Sequence, residues 1–229
     1  MIELLNVDCM EFLKGQPDKH YDLCIVDPPY GMMGNTFTCK AIQFANEGET
    51  KSVLDDSSKR GISLGNRPDK QYFLELERVS VNSIIWGMQY MVPHLSPHAC
   101  TVIWDKQNGS SRFSDAELAY TTFDTAVRIY RGWNEPRGDN SQGRIHPTQK
   151  PVALYRWLLK NYAKPGQRIL DTHGGSMSIA IACDIEGYDL TLCELDPDYF
   201  AAGKKRLEQH QAQPRLFDAP APQPTQLTL

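Results

Sequence analysis

No run of apolar residues in this chain approaches the roughly 18 to 20 that a membrane-crossing helix requires. Met1-Ile2-Glu3 also lacks the charged and then apolar pattern of an export signal, so a cytoplasmic protein is expected. The six cysteines, Cys9, Cys24, Cys39, Cys100, Cys183 and Cys193, include no Cys-x-x-Cys pair. Several lie in apolar strand-like runs, which favours reduced core thiols over a disulfide framework or a thiolate metal site. His94 and His98 have helical i, i+4 spacing, but Pro93 and Pro97 argue against a helix there, and no metal is expected. An excess of basic residues is missing as well: Lys and Arg number 24 against 28 Asp and Glu, a net charge of −4. Any contact with a polyanion must therefore come from a local patch.

What the chain does have is 229 residues, 41% of them hydrophobic, enough for one well-packed domain with room for a small added lobe. The most informative stretch is Asp27-Pro28-Pro29-Tyr30, which follows the apolar run Leu23-Cys24-Ile25-Val26. It reads as a buried parallel strand whose carboxyl end is fixed in a rigid turn, the end where open α/β sheets hold ligands. Asp27 offers a carboxylate acceptor, Pro28 a carbonyl without a competing N–H, and Tyr30 a flat face. Together they suit an amino group on a planar ring, although a strand followed by an ordinary Pro-rich turn has the same spelling.

The remaining pattern alternates strands and helices. Strands are expected at Ile2–Leu5, Tyr21–Val26, Ser83–Trp86, Thr101–Trp104, Leu118–Thr122, Ala126–Tyr130, Arg168–Asp171 and Asp189–Cys193, with Leu118–Thr122 and Ala126–Tyr130 paired across Phe123-Asp124. Helices are expected at Cys9–Leu13, Gln71–Val79, Val152–Tyr162, Ser178–Glu186 and from Asp196-Pro197 to about Gln211. Asp8 reads equally as an N-cap and as a ligand contact at a strand edge. Residues 31–69 lose all periodicity and form either a solvated loop or a mobile substrate-covering loop. Residues 131–145 are a polar loop in which arginines accompany Trp133, suited to phosphate and base contact or simply solvated. The expected fold is a doubly wound, mostly parallel Rossmann-like sheet with an antiparallel strand pair and a small recognition insertion, spanning residues 1–211, before a disordered Pro- and Gln-rich tail at 212–229.

Leu170-Asp171-Thr172-His173-Gly174-Gly175-Ser176 is a strand running into a small-residue loop that opens a helix, and Glu194 follows the glycines by roughly 20 positions. In doubly wound folds such glycines admit a ligand to the backbone, the helix amino terminus favours a carboxylate or phosphate, and the acid accepts from ribose hydroxyls.

These segments, with His146-Pro147-Thr148-Gln149-Lys150-Pro151 and Cys193-Glu194-Leu195-Asp196, resemble the S-adenosylmethionine-dependent DNA amino-methyltransferases of restriction-modification systems, in the order in which Asp-Pro-Pro-Tyr precedes the cofactor loop, and most of all the small phage and prophage members. The resemblance spans Asp8 through Arg206. It implies that Asp27 and the Pro28 carbonyl, stiffened by Pro29, accept from the target amine while Tyr30 stacks on a base flipped out of double-stranded DNA. It further implies that Glu194 holds the cofactor ribose, Asp8 its adenine, and Asp171 with His173, Gly174, Gly175 and Ser176 its methionine part, with Thr148 and Lys150 placing the methionine carboxylate. Arg112, Arg131, Trp133, Arg137 and Arg144 become candidate DNA contacts, and a homodimer is a family-based expectation.

The implied activity is methylation of adenine N6. N4 methylation of cytosine is the alternative, since both bases present an exocyclic amine, and Asp before Pro28-Pro29 favours adenine. Ring-carbon methylation of cytosine would need a thiol nucleophile, commonly in a Pro-Cys pair, and the chain contains none. One departure stands out: Met177 occupies a position where the family's loop generally carries a further glycine. Its side chain either crowds the methionine part of the cofactor or points away. Crowding would leave a catalytically silent module that binds DNA and a clamp. In the tail, Gln213-Pro214-Arg215-Leu216-Phe217 resembles the Gln-x-x-Leu-Phe peptides that dock into the bacterial sliding clamp, with Gln213, Leu216 and Phe217 as the contacts.

Overall fold

A computed structural model describes residues 1–31, 67–109, 114–132, 145–146 and 148–213. In chain order the elements are β1 (Ile2–Asn6), α1 (Cys9–Lys14), β2 (Tyr21–Val26), α2 (Lys70–Val79), β3 (Ser80–Trp86), α3 (Met88–Met91), β4 (Thr101–Asp105), β5 (Ala116–Thr121), β6 (Arg128–Arg131), α4 (Val152–Tyr162), β7 (Arg168–Asp171), α5 (Ser178–Glu186), β8 (Asp189–Glu194) and α6 (Pro197–Gln211). Three of the helices begin at an aspartate whose carboxylate accepts backbone N–H groups that would otherwise lack a partner. Asp8 caps α1 through Met10 and Glu11, Asp69 caps α2 through Tyr72, and Asp196 caps α6 through Asp198 and Tyr199, with Pro197 at the first helical position. Pro151, with no N–H to lose, stands immediately before α4 in extended conformation.

The eight strands form one sheet in the order β1-β8-β7-β2-β3-β5-β4-β6. All neighbours run parallel except at β5, which is antiparallel to both β3 and β4. The expected doubly wound sheet is therefore present, but its antiparallel part differs from the sequence expectation. Leu118–Thr122 and Ala126–Tyr130 were expected to pair with each other; instead β4 lies between β5 and β6, antiparallel to the first and parallel to the second. β5 ends at Thr121 and β6 begins only at Arg128, so the link is longer than a tight turn and β4 fits between the two strands.

Both sheet faces are covered, so the central strands read as near-continuous apolar runs. The strand period of two separates their side chains. Leu23, Ile25, Ile84, Trp86 and Ile169 join the layer containing α4 and α5, whereas Cys24, Val26, Ile85 and Leu170 join the layer containing α1 and α2. The five described cysteines are free thiols. Among the described residues no helix is long and apolar enough to cross a membrane, and no group of three or more His, Cys, Asp or Glu is placed to hold a metal. Of the 31–69 segment, residues 32–66 lie outside the described residues.

Leu158, fully buried on α4 against the sheet, should lose about 2 to 5 kcal/mol of stability on replacement by alanine. The half-exposed Leu74 should lose less than about 0.5 kcal/mol. Urea denaturation of the two variants beside the parent chain checks the contrast.

Candidate active site

At the carboxyl end of β7 the chain makes a tight loop whose backbone is tied to β8. Gly174 N–H donates to the Cys193 carbonyl at 2.8 Å, and Gly175 N–H donates to Glu194 Oε2 at 2.6 Å. A Cβ on Gly174 would stand 2.3 Å from Leu192 Cδ2, so the approach to β8 requires glycine. Glu194 Oε1 accepts from Asp196 N–H at 2.9 Å, which leaves both carboxylate oxygens fixed by backbone. Burial lifts Glu194 above the ordinary carboxylate range even though these amides pull it down.

Met177 follows with φ 56° and ψ 30°, the left-handed region that accounts for glycine being usual there. Its side chain is fully buried and turned toward α6: a Cβ on Gly203 would come within 2.6 Å of Met177 Cγ. It does not line the cavity described below. Of the two alternatives raised by the sequence, the side chain points away. Arg206 of α6 fastens the same turn, donating to the Ser176 carbonyl at 2.8 Å and to Ser178 Oγ at 2.9 Å.

Across the sheet, β2 delivers Asp27. The Tyr30 hydroxyl donates to Asp27 Oδ1 at 2.6 Å, and the Lys150 ammonium pairs with Oδ2. Tyr30 stacks on Tyr90, with centroids 5.0 Å apart and planes 19° from parallel. Gly87 makes room for that ring, since a Cβ there would lie 2.1 Å from Tyr30 Cε1. Burial, and then the Asp27 and Glu117 charges, push the Tyr30 hydroxyl far above the usual phenol range, so it remains a donor.

A cavity of about 700 Å³ joins the two halves. Its lining includes Asp8, Asp27, Pro28, Pro29, Tyr30, Thr148, Lys150, His173, Gly174, Gly175, Ser176 and Glu194. Asp8 lines it while capping α1. Asp171 does not reach the cavity: it is buried beneath the loop and accepts from His173 N–H at 2.9 Å. Burial, with Asp27 and Glu194 adding to it and Lys150 opposing, pushes Asp171 up to about 8. Thr148 is exposed and bonded to His146, whose ring packs edge-on to Tyr199.

Several lining residues carried no signal in the sequence. Tyr72, from α2, meets the Thr172 hydroxyl at 2.7 Å, and that hydroxyl meets His173 Nδ1 at 2.9 Å, building one wall. Tyr155 of α4 lines the cavity, and Glu117 of β5 lies behind Lys150. Only the alternation of apolar residues around these positions was visible, and it reports burial rather than proximity to a site.

Of the candidate DNA contacts, Arg131 ends β6 and lies 3.7 Å from Asp105; Arg112, Trp133, Arg137 and Arg144 fall outside the described residues. Gln213 follows the end of α6, and Leu216 and Phe217 also fall outside.

A Rossmann-like sheet with one reversed strand, a glycine loop tied to an acidic strand end, and Asp-Pro-Pro-Tyr facing it across one cavity define the fold class of the DNA methyltransferases. Residues 21–205 match the sequence model of the N6/N4 DNA methylase family, and the chain belongs to that family. It is 21% identical to the type II methyltransferase M.HinfI of Haemophilus influenzae over 92% of this chain and 69% of that protein. To the type II methyltransferase M.HpaI of Haemophilus parainfluenzae it is 24% identical, over 90% and 74% respectively. Among solved structures, that of the M1.HpyAVI–SAM complex superposes with a TM-score of 0.59 at 18% identity, covering 90% of this chain and 99% of that one. The cytosine-N4-specific PvuII DNA methyltransferase does so with a TM-score of 0.59 at 13% identity, covering 92% and 90%.

Burial holds His173 near pH 4 rather than 6.5. Because the folded state resists its protonation and the unfolded state does not, the His173 contribution to stability should fall by about 2 kcal/mol as pH drops from about 6.5 to 4, given the partial opening onto the cavity, against an opposing gain from Asp171, which the folded state protonates first. In urea denaturation followed against pH, His173→Gln should remove that loss, so that the variant gains about 2 kcal/mol on the parent chain between pH 6.5 and 4.

Proposed function

We propose that the protein transfers a methyl group from S-adenosylmethionine to the N6 amino group of adenine in a base flipped out of double-stranded DNA. The observation that carries this reading is the single cavity in which the Asp27-Pro28-Pro29-Tyr30 turn faces the Gly174-Gly175 loop and Glu194.

The cavity fits a cationic nucleoside. Asp27 and Glu194 line it, and Asp171 below resists ionising in their presence, so an added positive charge is favourable there. The Glu194 carboxylate, held by backbone amides, has acceptor capacity left for ribose hydroxyls. The Gly174-Gly175 backbone admits close approach, and Met177, packed against Gly203, does not obstruct it. When bound there, S-adenosylmethionine supplies an electrophilic sulfonium methyl.

The chain's own contribution is alignment. An exocyclic amine of adenine is a poor nucleophile because its lone pair is delocalised into the ring. Asp27 and the Pro28 carbonyl, accepting its two N–H bonds, draw that pair out of the ring plane and toward the methyl group. The nitrogen would take the methyl group as that group's bond to sulfur breaks, and would then lose one proton to solvent. No covalent enzyme intermediate is required. Tyr30 and Lys150 hold the two Asp27 oxygens in place during these events.

The direct test is to express the protein in a host without DNA methylases and to identify methylated nucleosides by mass spectrometry. N6-methyl-2′-deoxyadenosine should accumulate in the host DNA and fall at least about 100-fold on Asp27→Ala, which removes an acceptor from the developing charge. N4-methylcytosine would preserve the mechanism and replace the base. Absence of both from soluble protein would overturn the reading in favour of a silent DNA-binding module.

We also propose that the segment Gln213 to Phe217, carried just beyond α6, docks into the bacterial sliding clamp. The support is its spelling and its position after α6. Clamp captured on the immobilised protein should be lost when Leu216 and Phe217 are both replaced by alanine; undiminished capture removes the proposal.

A further inference from the structure

Lys150 is 3% exposed, yet it carries an ammonium group. It is flanked on one side by Asp27 and on the other, 3.1 Å away, by Glu117 Oε2, with the Trp86 ring centroid at 5.3 Å. Glu117 is itself held from behind: Lys106 Nζ stands 2.6 Å from its other oxygen, and Lys106 lies over the Trp104 ring. The two tryptophans meet edge to face, 6.4 Å apart. The result is an alternating array, Asp27, Lys150, Glu117 and Lys106, resting on two indoles.

A buried lysine keeps its charge only where counter-charges offset the loss of water. Burial opposes ionisation of both Lys150 and Glu117, yet their partners outweigh it: Lys150 is raised above, and Glu117 lowered below, the ordinary value. Geometry gives the array a direction. Glu117 Oε2 lies 3.1 Å from Nζ as an ion pair without a hydrogen bond, so its hold on Lys150 is electrostatic, while Lys150 donates to Asp27 Oδ2 and the Tyr30 hydroxyl donates to Oδ1. With each oxygen held by one donor, the Asp27 carboxylate, which lines the cavity, keeps acceptor capacity for a bound amine.

We propose that Glu117 is a positioning residue for methyl transfer, acting through Lys150 on the Asp27 carboxylate that receives the target amine. This rests on the reading of Asp27 given above. It also assigns Lys150 to the base side of the site, in place of the methionine-carboxylate contact that the family resemblance implied. Glu117 reaches this position only because β5 is inserted between β3 and β4, opposite Trp104.

The test uses the whole purified chain, DNA from a methylase-deficient host and radiolabelled S-adenosylmethionine, with cofactor affinity measured separately by calorimetry. Glu117→Gln keeps the shape and removes the charge. It should lower kcat roughly 10- to 50-fold, the scale of a misplaced reacting group, and leave the cofactor Kd within about twofold, a retained fold included. Lys150→Met should lower kcat by more than about 100-fold. Adding Glu117→Gln to Lys150→Met should then change little, because the second residue acts only through the first. A kcat for Glu117→Gln within about twofold of the parent, a loss appearing in cofactor Kd instead, or losses that multiply in the double variant would each overturn the assignment. If Glu117→Gln is insoluble, the combination with Lys106→Met, which removes one charge of each sign, carries the same expectations. Failure of the parent chain to label DNA would overturn the reading of Asp27 itself, whereas labelling with an unaffected Glu117→Gln would overturn only the role of Glu117.

Discussion

The ion pair between Lys150 and Asp27 is the constraint on which the rest of the site depends. Lys150 precedes α4, Asp27 follows β2, and the pair brings together segments 123 residues apart. A buried ammonium without its carboxylates would cost several kcal/mol. The chain therefore has to bring β2, β5 and the start of α4 to one place, and the sheet order does so. β2 sits centrally between β7 and β3, with the glycine loop on one side and the Trp86 and Glu117 strands on the other. The Asp27 turn and the glycine loop are thereby presented at the same sheet edge and share one cavity.

The second half is built differently. Where Asp27 is held by side chains, Glu194 is held by backbone amides of Gly175 and Asp196, and the loop is held by Gly174 against β8. Such a frame tolerates little side-chain bulk on its inner surface. Met177 is accommodated because its backbone adopts the left-handed conformation and Gly203 leaves a recess for its side chain on the outer surface. The missing glycine in the loop is matched by a glycine on α6, a pairing across 26 residues that neither position reveals alone.

Much of this was legible in the chain. The boundaries expected for Val152–Tyr162 and Ser178–Glu186 are those observed, because apolar period, Pro151 and Gly187 act within a turn or two of the residues they govern. Asp27-Pro28-Pro29-Tyr30 and the Gly174-Gly175 loop were visible for the same reason, each being a short motif whose chemistry is local. The pairing of β5 with β4 rather than β6 was not visible, since strand partners are chosen by edges that distant segments leave open. The short helix α3, which begins after the left-handed Gly87, and the stacking of Tyr90 on Tyr30 had no periodic signal either.

The sequence by itself determined the residue types, the strand and helix segments and the two motifs, because each rests on interactions between neighbours in the chain. Only the tertiary structure decided which way Met177 turns, that Asp171 lies under the cavity rather than in it, and that Glu117 stands behind Lys150. Those outcomes depend on burial and on charges meeting across a sheet, and both are set by contacts between residues far apart in sequence.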